Sequence, residues 1–201
     1  LTSCSPGWIN FIEHFYPELI PHLSTCKSPQ QMFGALAKTY YADKIGVKPE
    51  NMYVVSVMPC TAKKLEAGRE EMCVVEDLQD VDAVLTTREL AVMIKQAGID
   101  IRNLEPSHYD SIMGDSTGAA VIFGATGGVM EAALRTAYEI VTGREVPFSN
   151  LNITPVRGMD GVKEASVKIE GCLPEWKFLE GAELKPAIGH GLVNANKIMK
   201  K

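Results

Sequence analysis

At 201 residues the chain is long enough to bury a core without disulfides or structural metals, as one large domain or as two smaller lobes. Lys plus Arg total 20 against 25 for Asp plus Glu, and the net charge of -5 offers no broad basic field, which excludes nucleic acid as the expected partner. Hydrophobic content of 46% with 22% charged residues is ordinary for a globular protein, and no apolar run approaches the ~20 residues that span a bilayer, so membrane insertion is not expected.

The first predicted element is a helix from Pro6 to Leu23, where Trp8, Ile9, Ile12, Phe15, Tyr16 and Leu19 recur at helical spacing behind a proline at the first position. The preceding Thr2-Ser3-Cys4-Ser5 is then a loop feeding a helix N-terminus. Ser28 is a predicted cap, with Pro29 in the first turn and Gln31 three residues on, for a helix carrying Met32, Phe33, Leu36 and Tyr40 and stopping near Gly46. Met52 to Met58 is a nearly continuous apolar run ended by Pro59, which predicts a strand buried on both faces, with Cys60 just past its carboxyl end. Val81 to Leu85 reads as a second strand. Thr86-Thr87-Arg88-Glu89 is a capping box for a helix ending near Gly98.

Residues 101 to 118 are polar and turn-rich, and they predict a connection between a first lobe, 1–105, and a second, 106–201. Val121-Ile122-Phe123 leads into the elbow Gly124-Ala125-Thr126-Gly127-Gly128 and a helix from Val129 to Val141, stopped at Gly143. Strands are predicted around Ile153 to Val156, Ala165 to Ile169 and Leu184 to Ile188, and a last helix from Val193 to Lys201. The order predicts an α/β fold of two lobes, each with mixed or parallel sheet flanked by helices, and a cleft between them.

Five cysteines, Cys4, Cys26, Cys60, Cys73 and Cys172, form an odd set with no CxxC pair, against both a disulfide framework and a self-contained zinc site. A reducing compartment fits, and no charged leader precedes an apolar stretch at the N-terminus, so the cytoplasm is the expected location, with the periplasm as the alternative. Cys60 lies where ligands gather in open α/β sheets, beyond a strand's carboxyl end. Lys63, three residues on, lowers a neighbouring thiol's pKa and donates to an anion; the plain alternatives are a structural cysteine and a solvated lysine. Cys4, at a loop-to-helix junction, is a candidate ligand or acid/base thiol, or else an inert loop cysteine. The GATGG elbow matches no phosphate-binding signature, and tight backbone packing is its expected role.

Several segments together carry a resemblance. Thr2 to Trp8 (TSCSPGW), Tyr16 to Leu19 with Lys27 to Gln31, Met58 to Glu66 (MPCTAKKLE), Asp82 to Leu90 (DAVLTTREL) and Ile122 to Arg135 (IFGATGGVMEAALR) resemble the catalytic domain of FeFe hydrogenases. The likeness continues through Val156-Arg157-Gly158 and Gly161 to Ala165 as far as His190-Gly191, in family order over nearly the whole chain. It implies an H-cluster: a four-iron (4Fe-4S) cubane joined through a cysteine to a two-iron subsite with carbonyl, cyanide and a bridging dithiolate amine. By position it makes Cys60 a cubane ligand and Lys63 the donor to a cyanide. Cys4 becomes the thiol that passes protons, with Ser24 further along that route. Met58, Pro59, Ser28, Gln30, Phe123 and Gly124 become residues that wrap the two-iron subsite.

Two departures stand out. Where the family places a second cysteine in its first motif, this chain has Ser5, a hard and basic donor that holds iron weakly. The preferred reading is loss of that ligand; the other is that Cys4 becomes the ligand and Ser5 the proton carrier. The third motif, with two more cubane cysteines, is not found before Lys201, so a companion segment or subunit is expected to supply them. The implied activity is interconversion of H2 with protons and electrons, exchanged with ferredoxin or another carrier, the chain alone being inactive. The alternative is a hydrogenase-like protein used for hydrogen sensing or iron-sulfur cluster handling.

Overall fold

The computed structural model describes residues 1–114, 117–147 and 160–201, and the backbone of 154 and 155. The chain folds as two units, Leu1–Gly114 and Asp115–Lys201. The dividing point falls inside the turn-rich stretch 101–118.

In the first unit, helix α1 runs Pro6–Phe15 and not to Leu23. Tyr16 precedes Pro17, whose ring disfavours helical geometry at the residue before it, and Tyr16 sits at φ -142°, ψ 52°. The chain resumes as a 3-10 helix, Pro17–His22, which explains why the apolar spacing continues past the break. Trp8, Phe11, Phe15 and Tyr16 stack along α1 at ring-centroid separations of 5.0 to 6.0 Å.

Helix α2, Pro29–Leu36, begins as expected with Ser28 Oγ accepting from the Gln31 N–H at 3.4 Å. It continues through a π-helical stretch, Ala37–Tyr41, into α3, Ala42–Ile45, and stops at Gly46. The buried face is not the apolar one. Met32, Phe33, Leu36 and Tyr40 are 41% to 59% exposed, while Gln31, Gly34, Ala37 and Lys38 are buried. Small residues win here because the helix lies directly on backbone: a Cβ at Gly34 would collide with the Asp80 carbonyl. Lys38, 1% exposed, donates to the Gln79 carbonyl at 2.5 Å and to Asp82 Oδ1 at 2.6 Å, and Asp82 Oδ2 accepts from the Val54 N–H at 2.6 Å.

Strands β1, Val55–Met58, and β2, Ala83–Thr86, pair in parallel with Val55 opposite Ala83 and Met58 opposite Thr86. Between them lies helix α4, Ala62–Ala67. The expectation of a strand buried on both faces is corrected: Val55 and Val57 are 48% and 45% exposed. One face of this two-stranded sheet is covered, by a cluster of Ala37, Val54, Ala67, Val81 and Val84 with Met52 and Met58 against it. Helix α5, Thr87–Gln96, starts at the predicted capping box, with Thr86 Oγ1 accepting from the Glu89 N–H at 3.1 Å and Glu89 Oε2 accepting from the Thr86 N–H at 2.7 Å.

In the second unit, Val121-Ile122 lie in a short helix α6, Gly118–Ile122, and the elbow leads into α7, Gly128–Thr142, which stops at Gly143. Gly127 has φ +82°, and a Cβ there would meet the Ile188 side chain; one at Gly128 would meet the Ile122 carbonyl. The elbow is a tight backbone crossing, as its composition suggests. Strands β3, Thr154–Pro155, β4, Val162–Glu164, and β7, Ala187–Gly189, form an antiparallel sheet in the order β3-β4-β7. Strands β5, Val167–Lys168, and β6, Glu183–Leu184, form a second antiparallel pair. The predicted strand 184–188 is therefore two strands, divided around Pro186, and β4 was not anticipated. Ile153 and Val156, the ends of another predicted strand, lie outside the described residues. Helix α8 spans Leu192–Met199.

Two outcomes follow from this packing. Gly34→Ala gains about 1 kcal/mol of helix propensity but drives a methyl into backbone, so a net loss of about 1–3 kcal/mol is expected in urea unfolding. Hydrogen bonds from the Thr86 backbone and Lys64 hold the Glu89 carboxyl at about 2, against an ordinary 4.5. The capping contribution of Glu89 is therefore complete above about pH 4.5 and is lost as pH falls through about 2, which carboxyl NMR titration of wild type and Glu89→Gln will read.

Candidate active site

The turn after β1 and the loop before α1 meet at one side chain. Cys60 is exposed, and its carbonyl accepts from the Lys63 N–H at 3.4 Å, the first turn of α4. That turn sends Lys63 inward to 8% exposure. Its ammonium donates to the Cys4 carbonyl at 2.8 Å and to both Glu66 oxygens at 3.0 Å. Cys4 is half-buried.

A buried ion pair is tolerated only when its remaining hydrogen-bonding capacity is met, because desolvation otherwise exceeds the Coulombic gain. Here it is met on both sides. Glu66, 3% exposed, accepts at Oε2 from Ser28 Oγ at 2.8 Å and from Gln30 Nε2 at 3.4 Å. Gln30 Oε1 in turn accepts from Ser56 Oγ of β1 at 2.9 Å. The Cys4 loop, the start of α2, β1 and α4 are thus joined by one polar network.

Ser24 belongs to an adjoining loop. Its N–H donates to the Leu1 carbonyl at 2.8 Å, and Ser3 Oγ donates to the Cys26 carbonyl at 2.8 Å, so the segment before Cys4 is zipped to the segment around Ser24. A cavity of about 320 Å³ opens beside this zipper, lined by Ser3, Ser24, Cys26, Lys27, Glu66 and Arg69 among others, but by neither Cys4 nor Cys60. Arg69 closes one wall: hydrogen bonds to Glu13 of α1 and to Glu71 hold its pKa above the ordinary value and tie α1 to the end of α4.

Of the residues singled out from sequence, the first unit brings Cys4, Lys63, Cys60, Ser28 and Gln30 into one neighbourhood, with Ser24 on the next loop. Ser5 caps α1 by position only: it is exposed and its side chain makes no capping bond. Met58 is half-buried at the end of β1 and Pro59 is exposed. Phe123 and Gly124 are in the other unit, both exposed, at the end of α6 and the start of the elbow, where Thr126 Oγ1 and His190 Nδ1 are 3.0 Å apart. Among the described residues no three of His, Cys, Asp or Glu are placed to hold a metal ion. Glu66 was not singled out; the signal available for it was the Lys-x-x-Glu spacing, which puts both ends on one helix face.

The whole chain, residues 1–201, matches the model of the iron only hydrogenase large subunit, C-terminal domain. The chain belongs to this family. A curated hydrogenase relative, the periplasmic Fe hydrogenase large subunit of Nitratidesulfovibrio vulgaris, is 53% identical over 94% of this chain and 42% of its own length. The solved apo FeFe hydrogenase HydA1 from Chlamydomonas reinhardtii superposes with a TM-score of 0.85 at 43% identity, covering 100% of this chain and 54% of that one. More distant, at 35% identity over 85% of this chain and 36% of its own length, is the cytosolic iron-sulfur assembly component 3 of Bos taurus. The chain therefore spans between about a third and about half of the length of these relatives.

Removing the Ser28 hydroxyl takes a cap from α2 and a donor from buried Glu66. Ser28→Ala should therefore cost about 1–3 kcal/mol of unfolding free energy in urea, at the upper end of cap losses.

Proposed function

We propose that this chain is the part of a hydrogenase catalytic domain that carries the first two cysteine motifs, and that the complete protein interconverts H2 with protons and electrons. The observation that carries this reading is the buried Lys63 ammonium, fixed between the Cys4 carbonyl and Glu66 three residues after Cys60. An ammonium held out of water between the Cys4 loop and the turn after Cys60 offers a charge-assisted donor to an anionic iron centre.

The donor set fits one part of the H-cluster and not the other. Toward the two-iron subsite the chain offers an ammonium that can bond a cyanide, with the Met58 thioether and Pro59 nearby in sequence. Toward the four-iron cubane it offers one thiol, Cys60, with the hydroxyl of Ser5 where a second thiol is usual, and soft thiolates are what such clusters require. One thiolate does not hold four irons. The remaining ligands come, in this reading, from a third motif on further polypeptide or a companion subunit.

When bound, the H-cluster supplies heterolytic cleavage of H2 and an exit for electrons, ultimately to ferredoxin or another carrier. The chain's own residues do the rest. Cys4 holds and passes a proton at Sγ, and Ser24 Oγ extends that route along the zippered loops. Lys63 orients an anionic ligand. Ser28 and Gln30 act at the two-iron subsite through Glu66, to which their side chains are already bonded. Phe123 and Gly124, which the resemblance makes residues of the two-iron subsite, belong to the second unit. No helix among the described residues is long and apolar enough to cross a membrane, and the cytoplasm is the proposed compartment, although one hydrogenase relative is periplasmic.

A second reading, cluster handling or hydrogen sensing without turnover, is favoured by Ser5 and by the assembly-factor relative; the hydrogenase relatives are closer in identity. The two separate on one experiment. In the complete protein, Cys60→Ser should lower bound iron and abolish hydrogen evolution, and wild type without any hydrogen turnover would select the second reading. Iron analysis of the 201-residue chain should give well under a full cluster; a full complement with turnover would overturn the partial-site assignment.

A further inference from the structure

Lysine's ammonium has three hydrogens and no acceptor. At Lys63 all three directions are taken, two by the oxygens of Glu66 and one by the Cys4 carbonyl. The three acceptors are not equivalent. Glu66 is anchored from the start of α2 by Ser28 and Gln30, and Gln30 is pinned to β1 by Ser56, so the carboxylate is fixed from two other elements. The Cys4 carbonyl belongs to the loop ahead of α1. Hydrogen bonds to an ionised acceptor are roughly twice as strong as those to a neutral one, so the carbonyl bond is the one that exchanges.

We infer that Glu66 is a positioning residue: it fixes the Lys63 ammonium with two of its three donors and leaves the third, now on the Cys4 carbonyl, as the one an incoming anion takes. Its use in hydrogen turnover rests on the function proposed above. Glu66 itself touches no reacting atom; it acts by deciding where the lysine points. A glutamine at this position keeps the volume but offers one acceptor instead of two, and turns an N–H toward the ammonium in either orientation of its amide. An aspartate keeps the charge and lacks the reach for both oxygens to meet Lys63.

The test reads the lysine directly. Trace acetylation of the full chain, followed by peptide mass spectrometry, gives the rate at Lys63 relative to Lys95, which is exposed on α5. Glu66→Gln should raise that ratio several-fold and Glu66→Asp should restore part of the protection, with circular dichroism melts establishing that both variants are folded. In the complete, cluster-loaded protein, Glu66→Gln should shift the cyanide stretching bands in the infrared, a signature that loss of packing alone does not move. An unchanged Lys63 ratio in folded Glu66→Gln overturns the inference, whatever the bands do. Altered acetylation with unshifted bands overturns the exchangeable donor. Should Cys60→Ser lose its iron while Glu66→Gln changes neither readout, the inference fails and the proposed function stands; should Cys60→Ser keep its iron, the proposed function fails and acetylation alone decides the positioning role.

Discussion

A cation removed from water has to find its acceptors in the protein, and the first unit is organised around that requirement. Lys63 draws together the loop ahead of α1, the start of α2, β1 and α4, because its partner Glu66 needs donors of its own and finds them on Ser28 and Gln30. Without the carboxylate the ammonium is a buried unpaired charge; without the ammonium the carboxylate is the same. Each element's position is thereby tied to the others through one small polar centre.

A second buried lysine shows what a purely architectural version looks like. Lys38 meets the Gln79 carbonyl and Asp82, and Asp82 also holds the Val54 N–H at the approach to β1. Nearby, fully buried Asp80 accepts from Lys27 and from the Val74 N–H. These bonds clamp the segment before β2 beneath α2, and none of them ends on a cysteine, although Cys26 and Cys73 adjoin Lys27 and Val74. The Lys63 centre differs in what surrounds it: one bond to the carbonyl of a cysteine, and another cysteine three residues upstream. That difference, more than burial as such, marks Lys63 as part of the proposed site and Lys38 as a staple.

Local rules written into short stretches were legible in the sequence. The cap at Ser28, the capping box at Thr86 and Glu89 and the stops at Gly46 and Gly143 each rest on neighbouring residues only, while the glycines of the elbow signalled close packing without revealing that Ile188 is what Gly127 packs against. What depends on the tertiary partner was not. The apolar residues of α2 pointed away from the buried side, because close backbone contact at Gly34 outweighed hydrophobicity. Helix α1 was drawn too long, since Pro17 ends the helix without interrupting its apolar rhythm. Cys60 and Lys63 could be picked out from chemistry and family likeness, whereas Glu66 looked like any helical glutamate until its donors were seen.

The π-helical stretch between α2 and α3 has a consequence for chain length. Each helical residue advances the azimuth by about 100°, so a local change of winding rephases everything beyond it. Ahead of the stretch the buried line is Gly34; within it come Ala37 and Lys38; after it, Ala42. Side-chain replacement on the solvent side leaves this phase alone. Deleting one residue between 39 and 41 would not: the downstream turn would rotate, carrying Ala42 away from its seat. The segment is under a constraint on spacing that is separate from any constraint on identity.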